Sequence, residues 1–158
     1  MRYLISLVFL FQIFTLSAQS LKKEKMEQLS YLIGEWVGTS TLYDEGGEIS
    51  KQVPAFEKIS YDLNESIIVV ELNTPLLKLH TIIYFSEEDG TYYYNVFSEK
   101  GGRKLPAIFT DGHLVVQANE TTRYIFEQFN EHGFREYGEK LVDGEWLKYF
   151  EDVFTNTQ

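Results

Sequence analysis

Four charged residues near the end of the chain, Arg135, Glu139, Lys148 and Asp152, are spaced so that one turn can bring them together. That turn is Asp143-Gly144, a pair that favours a two-residue hairpin. Counting outward from it opposes Leu141 to Trp146, Glu139 to Lys148, Tyr137 to Phe150 and Arg135 to Asp152. Facing inward, this set forms the polar end of a pocket that orients a carboxylate or hydroxyl on a ligand. It also gathers Tyr137, Glu139 and Arg135, groups able to exchange protons. Facing outward, it is a solvated cross-strand ladder contributing under about 1 kcal/mol per pair. The charges favour the outward face, whereas Tyr137, Phe150 and Trp146 on the same face keep the inward one open.

A second set is apolar and hydroxylated. Tyr92, Tyr94, Tyr124 and Phe126 share the phase of Ile83, Val96, Leu114 and Val116, and with Tyr137 they compose an aromatic interior. Such a lining suits a small apolar or amphipathic ligand, although side chains alone can fill a narrow barrel. The ligand-binding candidates are therefore Trp36, Tyr92, Tyr94, Tyr124, Phe126, Arg135, Tyr137, Glu139 and Lys148. His80, His113 and His132 lie on separate segments, so neither a metal site nor a haem ligand is assigned. The sequence carries no phosphate-binding loop, nucleotide fingerprint or activated serine. No catalytic residue and no cofactor are assigned.

These side chains need strands to hold them. From Trp36 onward, alternation is broken by turn residues every eight to twelve positions, which predicts an all-β, antiparallel up-and-down barrel of about ten strands. The strands are placed near 36–43, 50–61, 65–73, 77–86, 91–99, 103–110, 113–118, 121–130, 134–142 and 145–154, with Pro54 bending the second. Asp89-Gly90 predicts Phe85 opposite Tyr94 and Ile83 opposite Val96; Asp111-Gly112 predicts Phe109 opposite Leu114 and Ala107 opposite Val116. Leu21, Met26, Leu29, Leu32 and Ile33 predict one amphipathic helix stopped by Gly34. Gly34 and Gly38 flank Trp36, whose indole can plug the floor of a barrel.

Residues 1–18 have a charged start, an apolar middle and a small residue at Ala18, the pattern of a cleaved secretory signal. Residues 19–158 then form one barrel domain, expected to be periplasmic or secreted, without stable membrane insertion and either monomeric or weakly dimeric. The chain has no cysteine, so export brings no disulfides. Fourteen basic residues stand against 24 acidic ones, and loss of Arg2 with the signal leaves 13. A net charge near −11 disfavours nucleic acid as a partner. Aromatics make up 16% of the chain, with 11 Tyr and 12 Phe, so either a cavity is lined by them or several tyrosines stand on the outer face.

Gly34-Glu35-Trp36, following its helix, resembles the Gly-x-Trp opening of the calycins, the lipocalin and fatty-acid-binding-protein class. Glu136-Tyr137-Gly138-Glu139 with Asp143-Gly144-Glu145-Trp146 is similar to the end of exported lipocalin-like bacterial proteins of unknown function. The resemblance implies a barrel that binds a small molecule inside, with a cation from the last strand over Trp36; Lys148 stands where lipocalins carry an arginine. Barrels of this type also host isomerases and lyases that use a Tyr, Glu and Arg set in the cavity, for which Tyr137, Glu139 and Arg135 are the candidates, and a packed barrel can act through its outer surface. A hollow interior without buried titratable groups favours the binder, buried carboxylates with shifted pKa values favour the enzyme, and a filled interior favours the interaction protein.

Overall fold

Period-two alternation gives each strand one face for the interior and one for solvent. The computed structural model describes residues 21–158, so the expected signal over residues 1–18 lies outside them. A short helix α1 (residues 21–27) is followed by a 3₁₀ turn (Ser30–Leu32) and ten strands. These are β1 (Gly34–Tyr43), β2 (Ile49–Asp62), β3 (Ile67–Asn73), β4 (Lys78–Ser86), β5 (Thr91–Ser98), β6 (Gly101–Thr110), β7 (His113–Asn119), β8 (Thr122–Asn130), β9 (Gly133–Val142) and β10 (Glu145–Asn156). Each pairs antiparallel with the next, and β1 closes on β10. The predicted up-and-down barrel of ten strands is the fold, and closure removes the free edges an open sheet would expose. Among the described residues no helix is long and apolar enough to cross a membrane.

One end of the barrel is plugged. Met26, Leu29 and Leu32 are fully buried there. Trp36 donates its indole N–H to the Leu32 carbonyl at 2.8 Å, Tyr31 its hydroxyl to the Phe126 carbonyl at 2.9 Å and Tyr92 its hydroxyl to the Lys25 carbonyl at 2.7 Å. The single helix expected over residues 21–33 breaks after residue 27, because the amides of Leu29, Leu32 and Ile33 each bond three residues back. This tighter winding turns both Leu29 and Leu32 into the floor. Trp36 is met edge-on by Phe134 at 4.7 Å, and Phe134 stacks on Phe154 at 5.0 Å. Lys148 takes no part in covering the indole: its ammonium lies 4.5 Å from the centre of the Tyr137 ring, outside the barrel.

Pro54 lies within an unbroken β2, opposite Thr39 of β1. Pairing of β2 with β3 begins only at Phe56, so Pro54 occupies a stretch with a partner on one side, where a missing N–H costs least.

The three Asp-Gly turns behave differently. Asp111-Gly112 and Asp143-Gly144 have both residues at positive φ, the two-residue hairpin conformation. Phe109 opposes Leu114 and Ala107 opposes Val116, as expected. At Asp89-Gly90 only the glycine has positive φ, and the loop takes four residues between Ser86 and Thr91. Phe85 therefore opposes Tyr92 and Ile83 opposes Tyr94, a slip of two that leaves every side chain on its expected face.

The last hairpin slips by one. Leu141 opposes Trp146 and Glu139 opposes Lys148, but a bulge between Lys148 and Phe150 then sets Phe150 against Gly138, Glu151 against Tyr137, Asp152 against Glu136 and Val153 against Arg135. The expected pairs Tyr137 with Phe150 and Arg135 with Asp152 do not form. Gly138 permits the bulge, since a Cβ there would meet the Tyr149 ring at 2.8 Å and the Phe150 ring closer still.

Candidate functional site

A one-residue slip moves side chains from one face to the other. Past the bulge, Asp152 enters the barrel, and Glu136 enters opposite it on β9. Asp152 is 3% exposed, Glu136 6% and Glu57, from β2, 1%. Arg135, Tyr137, Glu139 and Lys148 stand outside. Glu139 accepts a hydrogen bond from Arg123 Nε at 2.7 Å and pairs with its Nη2 at 2.7 Å, Arg135 bridges Glu127 and Glu151, and Lys148 pairs with Glu151 three residues on. This ladder, with Tyr137 beside it, is partly solvated and does not line the interior.

The interior holds a cavity of about 480 Å³ toward the end opposite α1. Leu42, Leu72, Leu79, Val96 and Phe150 form its apolar walls, with Leu76 and Leu77 at the rim. Ser40, Tyr94, Tyr124, Tyr149, Glu136 and Asp152 supply its polar atoms, and Arg103 stands at the mouth. Tyr149 and Phe150, though consecutive, both line it, which the bulge makes possible. A larger cleft of about 850 Å³ lies outside, between the β1–β2 loop and the β9–β10 hairpin, walled mainly by exposed residues.

Of the residues singled out in the sequence, Tyr94 and Tyr124 line the cavity and Phe126 packs against Tyr94, with ring centres 5.7 Å apart. Tyr92 and Trp36 belong to the floor. Both alternatives for the aromatics hold at once, since Tyr84 and Tyr93 lie outside under the Lys104 ammonium.

Burial makes a charged carboxylate costly and raises its pKa. It pushes Glu57 up to about 8, with the Asp152 charge adding to the shift. Glu136 is raised well above the usual range by burial, then by the charges of Glu57 and Asp152. Asp152 is raised to about 6 by burial, against the pull of the Ser40 hydroxyl directly across the β1–β10 pairing. Burial also raises Tyr94. Oδ1 of Asp152, Oε2 of Glu57 and the Thr81 hydroxyl are buried without a hydrogen-bond partner. Such acids facing an apolar space can donate hydrogen bonds when protonated, exchange protons, or pair with a cation once ionised. Among the described residues no group of three His, Asp or Glu side chains converges to hold a metal ion.

Sequence reasoning missed Glu57, Glu136, Ser40 and Tyr149, and set Asp152 opposite Arg135 where the structure sets it opposite Glu136. Glu57 carried a readable signal, because it shares the phase of Val53, Ala55, Ile59 and Tyr61. Glu136 did not, since the residues in its phase, Phe134, Gly138 and Lys140, mark no consistent face, and the bulge at Tyr149 hid the true partner of Asp152.

Fold and interior together define a closed ten-stranded antiparallel barrel with a cavity at one end and a plug at the other. No protein-family model and no curated protein matches the sequence. Among solved structures, the chain is similar to a protein of unknown function from the DUF3598 family of Nostoc punctiforme, at 6% identity and a TM-score of 0.30, over 84% of this chain and 98% of that one.

Proposed function

We propose that the protein is an exported, calycin-like barrel that binds a small amphipathic molecule in its interior, in the cell envelope or outside the cell. One observation carries the reading: the cavity of about 480 Å³ joins leucine-rich walls to a few convergent polar groups, the usual make-up of a small-molecule site. The ligand's apolar body lies against Leu72, Leu79 and Val96, and its polar end meets Asp152, Glu136 and Tyr94. The signal-like pattern of residues 1–18 supports export, and the whole chain's excess of ten negative charges disfavours nucleic acid as a partner. A monomer or weak dimer suffices, since one chain closes the barrel.

A second reading, acid–base catalysis, rests on the buried, pKa-shifted carboxylates. Its candidates are Glu136 and Asp152, with Tyr94, in place of Tyr137, Glu139 and Arg135 on the outer face.

Titration with a polarity-sensitive amphipathic dye tests the binding reading. Wild-type protein is expected to bind saturably, and Val96→Trp, which fills the cavity, to lose binding with its circular dichroism spectrum intact. Equal binding by both proteins would place the dye elsewhere and remove the support for an interior site.

A further inference from the structure

Taking the cavity as the ligand site, we propose that the ligand's polar end is a protonated amine, held by Asp152 and Glu136, with its apolar body directed toward Leu79, Val96 and the mouth.

The inference rests on charge and on unmet hydrogen-bonding capacity. Asp152 and Glu136 lie opposite each other across β9 and β10, both line the cavity and both are over nine-tenths buried. Oδ1 of Asp152 has no hydrogen-bond partner. Behind them Glu57 adds a third buried carboxyl, whose Oε2 is also unpartnered. No Lys, Arg or His among the described residues is buried, so nothing inside the barrel neutralises this group. The cation at the mouth, Arg103, is exposed and donates to the Ala118 carbonyl at 3.3 Å.

A buried carboxylate is tolerated when it is paired and hydrogen-bonded. An ammonium supplies both, through charge-assisted bonds roughly twice as strong as neutral ones. On binding, Glu136 releases its proton to solvent and the ammonium donates to the carboxylate oxygens of Glu136 and Asp152. A carboxylate ligand would instead set a fourth acidic group against three. An alcohol would satisfy one lone pair and leave the charge unanswered.

Calorimetric titration at pH 7 with n-octylamine, 1-octanol and octanoate, each below its aggregation concentration, separates these cases. Octylamine is expected to bind at least tenfold more tightly than octanol, with octanoate weakest. In Asp152→Asn with Glu136→Gln the preference for amine over alcohol should collapse to within twofold, and a preference kept at tenfold would overturn the role of the two acids; should the pair fail to fold, Asp152→Asn alone serves. Octanol or octanoate binding the wild type as well as octylamine does would overturn the amine and leave the apolar cavity standing. Failure of all three to bind would overturn the amine and the cavity reading together.

Discussion

Replacing Glu57 by Gln should change how stability depends on pH more than it changes the fold. Glu57 is 1% exposed and its Oε2 has no partner, so its carboxyl is held neutral and its pKa rises from 4.5 to about 8, first through burial and then through the Asp152 charge. A folded-state pKa above the unfolded one means that the folded protein binds more protons between those two values, so stability falls as pH rises from about 4.5 toward 8. With 1.36 kcal/mol per pKa unit, Glu57 alone withdraws about 1 kcal/mol by pH 5 and about 3 kcal/mol by pH 7. Gln cannot ionise. Urea melts of wild type should therefore lose about 2 kcal/mol more between pH 5 and pH 7 than melts of Glu57→Gln, before any response of Asp152 and Glu136. At pH 7 the variant should equal or exceed wild type, because an uncharged amide replaces an acid that ionises on unfolding. Parallel pH profiles for the two proteins would refute the burial of an unpaired Glu57.

Three other substitutions probe the frame around the cavity. Trp36→Ala should cost about 3 to 5 kcal/mol in denaturant melts, as large aromatic truncations in cores do; a loss below about 1 kcal/mol would mean that the indole does not plug the floor. Gly138→Val should cost about 1 to 3 kcal/mol through overpacking against Tyr149 and Phe150, and dye binding should weaken as the bulge shifts; unchanged binding would separate the bulge from the cavity. Glu139→Gln, which breaks a partly solvated pair with Arg123, should change stability by under about 1 kcal/mol and leave dye binding unaltered; loss of binding would return the outer hairpin to the site. N-terminal sequencing of exported protein should begin near Gln19, and recovery of intact Met1 would end the assignment of a signal.

The barrel was legible because alternation and turn residues are local features, and all ten strands lie within two residues or so of their expected places. Register was legible only where nothing intervened. Asp111-Gly112 specified its hairpin fully, and Asp89-Gly90 failed harmlessly, since a slip of two preserves the faces. Asp143-Gly144 gave the correct pairs as far as Glu139 and Lys148 and the wrong ones beyond. The signal for that bulge is a bare Gly138 beneath two consecutive aromatics, a packing relation between strands that neither strand displays alone. Its effect is chemical as well as geometric: it turns Asp152 inward, opposite Glu136, so Arg135 and Lys148 stay in the outer ladder with other partners and an unpaired acid group occupies the interior.

Methyl-resolved NMR tests the interior site most directly, because leucine and valine side chains line the cavity and also stud the outside. On titration with octylamine, the methyl signals of Leu72, Leu79 and Val96 should shift together and saturably, while Val37, Val142 and Val153, exposed on the outer surface, stay in place. Shifts confined to Val37, Val142 or Val153 would contradict an interior site and turn attention to the outside of the barrel.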